Sequence, residues 1–182
     1  MGLTEEEKKS LLKLAKSTVE SKLTNCELYQ PPITSPLKEK RGLFVTIKEK
    51  GQLRGCIGYI QEVRPLCEAV SEMAGAAAFR DPRFSPVCKE EIPSLSYEIS
   101  VLTPMKEITG VEEIEIGVHG LYISKGYHSG LLLPQVATEY HWDPLTFLEQ
   151  TCYKAGLPAD AWKDEDTKVF VFSADVFSEE SC

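Results

Sequence analysis

Two runs of alternating side chains meet at a glycine, and they restrict the fold more than any other feature of the chain. Leu43, Val45 and Ile47 alternate with Phe44, Thr46 and Lys48. On the return, Leu53, Gly55 and Ile57 alternate with Gln52, Arg54, Cys56 and Gly58. A period of two is that of a strand with one buried face. A three-residue loop, Glu49-Lys50-Gly51 with Gly51 left-handed, pairs Lys48 with Gln52. That register gathers Leu43, Val45, Ile47, Leu53 and Ile57 on one face, the core face. A two-residue loop mixes the apolar and polar sets, so the longer loop is expected.

The opposite face then carries Thr46, Lys48, Arg54 and Cys56 beside Phe44. Arg54 and Cys56 are two residues apart and project together. A guanidinium near a thiol favours the thiolate, the reactive form of cysteine. Gly55 and Gly58 flank the cysteine and are expected to leave open space beside it. This is the one stretch where residue types and spacing together suggest chemistry.

The remaining elements alternate helices with hairpins. Thr4 and Glu7 form a capping box for a helix running to about Leu23, with Leu11, Leu12, Ala15, Val19 and Leu23 on one stripe. Pro31, Pro32 and Pro36 make residues 30–40 a loop. Pro65 opens a second helix whose stripe is Leu66, Ala69, Val70, Met73, Ala76 and Ala77. A rigid charged loop, Arg80 to Pro86, follows. Ser96 to Met105 reads as a strand, and residues 114–133 as two or three short ones. Gln135 to Glu139 reads as a short helix. Asp143 and Pro144 cap a helix over Leu145 to Lys154 that Gly156 stops. Lys168 to Phe172 is a last strand. The class is α+β, a mainly antiparallel sheet flanked by helices.

The chain has 182 residues, 42% hydrophobic and 26% charged, as folded domains do. Twenty Lys and Arg against 28 Asp and Glu give a net charge of -8. That argues against nucleic-acid binding, which needs clustered cations. None of the six cysteines forms a CxxC pair or has a His at ligand spacing, so no metal site is expected. No apolar run is long enough to span a bilayer. The polar, acidic start Met1 to Lys9 is no secretory signal, so reduced thiols in the cytoplasm are expected.

Several motifs in order carry a resemblance: Leu53-Arg54-Gly55-Cys56-Ile57-Gly58, Asp81-Pro82-Arg83-Phe84, Gly117-Val118-His119-Gly120, Leu133-Pro134-Gln135-Val136-Ala137 with Glu139, and Trp142-Asp143. Together they resemble the AMMECR-type domain family over residues 5–178, leaving 179–182 as a tail. The chain looks like a compact prokaryotic, archaeal member. The resemblance implies a larger sheet-and-helix part, a smaller second lobe, and the cysteine motif near a cleft between them. It implies no established activity, and the sequence leaves any cofactor open. Prokaryotic relatives are often encoded with a Memo-type metal-site protein and a radical SAM protein, which implies a shared pathway and a complex.

Each candidate residue has a plain structural reading beside its functional one. Cys56 is a nucleophile or a small packing residue, and His119 its base or a hydrogen-bonded turn residue. Arg54 binds an anion or pairs with Glu98 or Asp81. Asp81, Arg83 and Phe84 form a ligand loop or a capped turn anchored by the phenyl ring. Gln135 and Glu139 lie four apart, one helical face, and with Trp142 line a polar pocket or a capped amphipathic turn. Cys67, Cys88 and Cys152 read as inert packing; Cys26 and Cys182 read as exposed. The leading expectation is binding of a small anionic ligand or partner protein in a cleft at the Leu53–Gly58 motif, floored by Arg54 and Cys56 with Gly55 and Gly58 beside them, and walled by His119, Gln135, Glu139 and the Asp81–Phe84 loop. The alternative is a cysteine-dependent enzyme acting on a small acyl or anionic substrate.

Overall fold

In a computed structural model, residues 2–179 are described and divide into two compact units. The first comprises residues through Leu102 and those from Asp175 on; the second is Thr103–Ala174. Every strand pair whose register is defined is antiparallel. The architecture is α+β, as expected, but its strands form two four-stranded sheets rather than one.

In the first unit, helix α1 (Glu5–Thr24) starts at the anticipated capping box: the Glu7 N–H donates to Thr4 Oγ1 at 3.3 Å and the Thr4 N–H to Glu7 Oε2 at 2.8 Å. A one-turn helix α2 (Ser35–Lys38) interrupts the proline-rich loop. The hairpin of β1 (Leu43–Glu49) and β2 (Gln52–Tyr59) follows, then α3 (Leu66–Phe79) and β3 (Leu95–Leu102). The sheet order is β2-β1-β3-β8, where β8 is Ala174–Ser178. Leu43, Val45 and Ile47 are sealed, with Tyr97, Ile99 and Val101 of β3, under α1 and α3. The strand expected over Ser96–Met105 stops at Leu102, where Thr103 turns to donate its N–H to Ser173.

The hairpin corrects the expected register. Lys50 and Gly51 both have positive φ, +50° and +80°, so the loop has two residues, and Glu49 pairs with Gln52. A β-bulge then inserts Arg54: Lys48 pairs with Leu53, but Ile47 pairs with Gly55. Past the bulge the sets sort correctly, Val45 opposite Ile57 and Thr46 opposite Cys56. The cost falls on Leu53, expected in the core and found 45% exposed across from Lys48.

The glycines also read differently in three dimensions. A Cβ on Gly55 would lie 2.1 Å from the Ala77 carbonyl oxygen, and one on Gly58 2.2 Å from that of Leu43. The space beside them is filled by α3 and β1, not left open. The alanine-rich face of α3, with Ala74, Ala77 and Ala78 buried, is what lets it lie so close to β2.

In the second unit, β4 (Lys106–Ile108), β5 (Gly120–Lys125), β6 (His128–Leu132) and β7 (Lys168–Phe172) are ordered β4-β7-β5-β6. Helix α4 is Pro134–Glu139, and α5 is Pro144–Lys154, capped as anticipated by Asp143, whose Oδ1 accepts the Thr146 N–H at 2.7 Å. Gly156, at φ +74°, ends the run. Phe147, Leu148 and Cys152 of α5 pack with Leu121, Ile123, Val169 and Val171 of the sheet. No helix among the described residues is long and apolar enough to cross a membrane.

Candidate functional site

Strand β2 is an edge strand, so among the described residues one side of its backbone has no neighbouring strand. At Cys56 that open side is closed by side chains. The Cys56 N–H donates to Asp81 Oδ2 at 2.9 Å, and Arg83 Nη2 donates to the Cys56 carbonyl at 3.3 Å. Asp81 and Arg83 thus stand in for a strand across one residue. The two are locked to each other: Arg83 Nε donates to Oδ1 at 3.0 Å, Nη2 to Oδ2 at 2.8 Å, and the Arg83 backbone N–H to Oδ1 at 3.1 Å. Asp81 is 4% exposed, whereas the Arg83 side chain is 54% exposed. The tight turn that permits this places the Phe84 N–H on the Asp81 carbonyl.

These contacts fix the charges. The Arg83 hydrogen bond, helped by the N–H groups of Cys56 and Arg83, holds the Asp81 carboxyl far below the usual carboxylate range against the opposing effect of burial. Arg83 is raised in turn, chiefly by Asp81, with the Cys56 thiol a smaller contributor. The guanidinium beside the cysteine is therefore that of Arg83.

Arg54, expected to fill that role, is committed elsewhere. As the bulged residue it grips Glu91 through Nε at 2.6 Å and Nη2 at 3.1 Å, and donates Nη1 to the Ser85 carbonyl at 2.9 Å. Its side chain is 11% exposed. Glu91 also accepts the Cys88 N–H at 2.8 Å, and these partners, Arg54 first, bring its carboxyl down to about 2. Neither partner expected for Arg54 is the one found, because Glu98 pairs with Lys48 and Asp81 with Arg83. Glu91 was the residue the sequence reading missed. Its signal was local: it lies three after Cys88, in the spacing of a helix-start cap.

The Cys56 thiol is half-buried and accepts from Thr46 Oγ1 at 3.2 Å, its cross-strand partner. Phe84 is half-buried, its ring centroid 6.0 Å from the Arg54 guanidinium carbon and 5.5 Å from that of Arg83. The first unit thus brings together Arg54, Gly55, Cys56, Gly58, Asp81, Arg83 and Phe84. Cys88, expected as packing, is exposed, and Cys182 lies outside the described residues.

The other candidates belong to the second unit. His119 is half-buried, and its Nδ1 accepts the Glu115 N–H at 3.1 Å. Gln135 and Glu139 are both exposed on α4. That helix ends with the Trp142 N–H on the Ala137 carbonyl and the His141 N–H on that of Thr138. His141 takes the left-handed position, φ +54°, where glycine is usual. The turn stacks Tyr140 on half-buried Trp142, with ring centroids 4.9 Å apart. Among the described residues, no group of three or more His, Cys, Asp or Glu could hold a metal ion.

The AMMECR1 family model matches residues 12–177. The chain belongs to the AMMECR1 family. A protein of Thermococcus gammatolerans is 47% identical, over 93% of this chain and 89% of its own length. One of Methanothermobacter thermautotrophicus is 44% identical, over 98% and 97%. The crystal structure of an uncharacterised Pyrococcus horikoshii protein superposes with a TM-score of 0.82 at 45% identity, covering 94% of this chain and 90% of that one. In this AMMECR1-family chain the matched span includes every candidate residue named above. The Asp81–Arg83 clamp can hold a thiol-bearing strand edge rigid and present the outer face of one arginine.

Proposed function

We propose that this protein is a binding module, and that it recognises an anionic group, on a small ligand or a partner protein, at the Cys56 edge of its first unit. One observation carries the reading. Arg83 is held in place by a buried carboxylate and a backbone carbonyl, yet its side chain is more than half exposed, and Nη1 has no partner among the described residues. A guanidinium fixed in advance loses little rotamer freedom on binding and offers planar, paired donors to a carboxylate or phosphate. Cys56 adjoins it through its carbonyl, and the Cys56 thiol accepts from Thr46 Oγ1.

The test is titration of isotopically labelled protein with acetate and with inorganic phosphate, following the Arg83 side-chain and Cys56 amide signals. Saturable shifts that Arg83→Lys weakens while Cys56→Ser keeps them support the reading; flat titrations with both anions overturn it. Affinity pull-down with the Memo-type and radical SAM proteins that the family resemblance implies as partners extends the test to macromolecules.

The cysteine-dependent reading retains one specific support: a half-buried thiol with a hydroxyl donor at 3.2 Å. Alkylation by iodoacetamide across pH decides it. A Cys56 thiol that titrates no lower than a simple thiol argues against nucleophilic chemistry.

A further inference from the structure

The second unit contains a cavity of about 270 Å³ whose lining includes none of the candidate residues of the Cys56 edge and none of His119, Gln135, Glu139 and Trp142. Its floor is apolar, formed by Ile108, Leu148 and Val169, each buried, with Trp162 as a wall. The charged residues lining it are all acidic: Glu107, Asp164 and Glu165. Their neutralisation is uneven. Asp164 is paired with Lys125 at 2.5 Å, Glu107 lies 3.9 Å from Lys168, and Glu165 has no ionic partner among the described residues. Thr167, also in the lining, has a buried hydroxyl oxygen with no partner among the described residues.

A void of this size holds a ligand of only a few heavy atoms and is near the lower end of ordinary ligand sites. An apolar floor under an acidic rim asks for an aliphatic body with a cationic head. A bare metal ion is a poor match, because no group of three acidic or imidazole ligands comes together among the described residues. The indole wall suits a cation as well. The Lys163 ammonium lies 5.3 Å from the Trp162 ring centroid, so this ring already attracts one cation and a ligand ammonium must approach it from the cavity side.

We propose that this cavity is a second binding site, taking a small organic cation: a primary ammonium on a short aliphatic chain. The chain lies on Ile108, Leu148 and Val169, and the ammonium faces Glu107 and Glu165 beside Trp162.

The chain has two tryptophans, so its indole N–H spectrum has two signals, which Trp142→Phe assigns. The protein is titrated with n-butylammonium, and separately with n-butanol and butyrate. The expected result is a saturable shift of the Trp162 signal with n-butylammonium alone. Glu165→Gln and Glu107→Gln each weaken binding about two- to five-fold, the range of partly exposed charge pairs, while exposed Glu62→Gln changes nothing. A linear, unsaturated shift overturns the proposal. So does an equal response to butanol, which marks a merely greasy void, or binding indifferent to both cavity glutamates.

Discussion

The buried carboxylate of Asp81 accepts the outward N–H of Cys56 at 2.9 Å. The interaction joins two motifs that are 25 residues apart in sequence. It caps the one place where β2 would otherwise expose an unpaired donor beside a thiol. The Asp81 loop therefore supports the cysteine's backbone and, through Arg83, supplies the cation next to it.

Removing that support should be costly. Asp81→Ala leaves the Cys56 N–H without its acceptor and frees Arg83. The expected loss is about 3 kcal/mol, within the range for charge-assisted hydrogen bonds whose partners become unsatisfied. Asp81→Asn, which keeps an acceptor oxygen, should cost less. Urea unfolding followed by far-UV circular dichroism measures both; fluorescence is unsuitable, because Trp142 and Trp162 both lie in the second unit.

Acid should weaken the first unit in a defined window. Asp81 and Glu91 are both held below their ordinary values when folded. Groups of that kind contribute stability that is complete above the unfolded-state pKa, about 4, and is lost as pH falls toward the folded value. Urea midpoints should be flat with respect to these two groups from pH 8 to 5, then fall between about pH 4.5 and 2. The double variant Asp81→Asn, Glu91→Gln should start lower and lose less over that interval.

Gly55→Ala tests the close approach of α3. Its methyl would sit 2.1 Å from the Ala77 carbonyl oxygen, backbone that can yield only by moving the helix. A loss of about 1–3 kcal/mol or more is expected from such overpacking, read as a drop in melting temperature. A neutral outcome would mean that the helix and strand are not in contact there.

Lys50→Asn should do the reverse. Lys50 adopts φ +50° in the two-residue turn, a conformation asparagine tolerates better than lysine. Melting temperature should rise by the equivalent of a few tenths of a kcal/mol, with no change in the Cys56 environment as judged by its amide shift.

Much of the fold was legible because its signals are local. The Thr4–Glu7 box, the Asp143–Pro144 start and the alternation of Leu43, Val45 and Ile47 each depend on residues a few positions apart, and each is found as read. The short strands β4 and β8 had no comparable pattern; they exist because a neighbouring strand completes their hydrogen bonds. At the site, residue types were legible but their partners were not. Arg54 and Cys56 were expected to act together, yet one extra residue in the ladder gave Arg54 to Glu91 and left Arg83 beside the thiol.

The amino-acid order alone settled the longer helices α1, α3 and α5 and the β1–β2 hairpin strands, because side-chain period, caps and turn residues act over one or two turns of chain. Only the folded arrangement decided which arginine meets the cysteine, what fills the space at Gly55 and Gly58, and that two sheets form. A β-bulge, a helix packed against a glycine and a carboxylate reaching a strand edge are all contacts across sequence distance, and their geometry depends on how the whole unit packs.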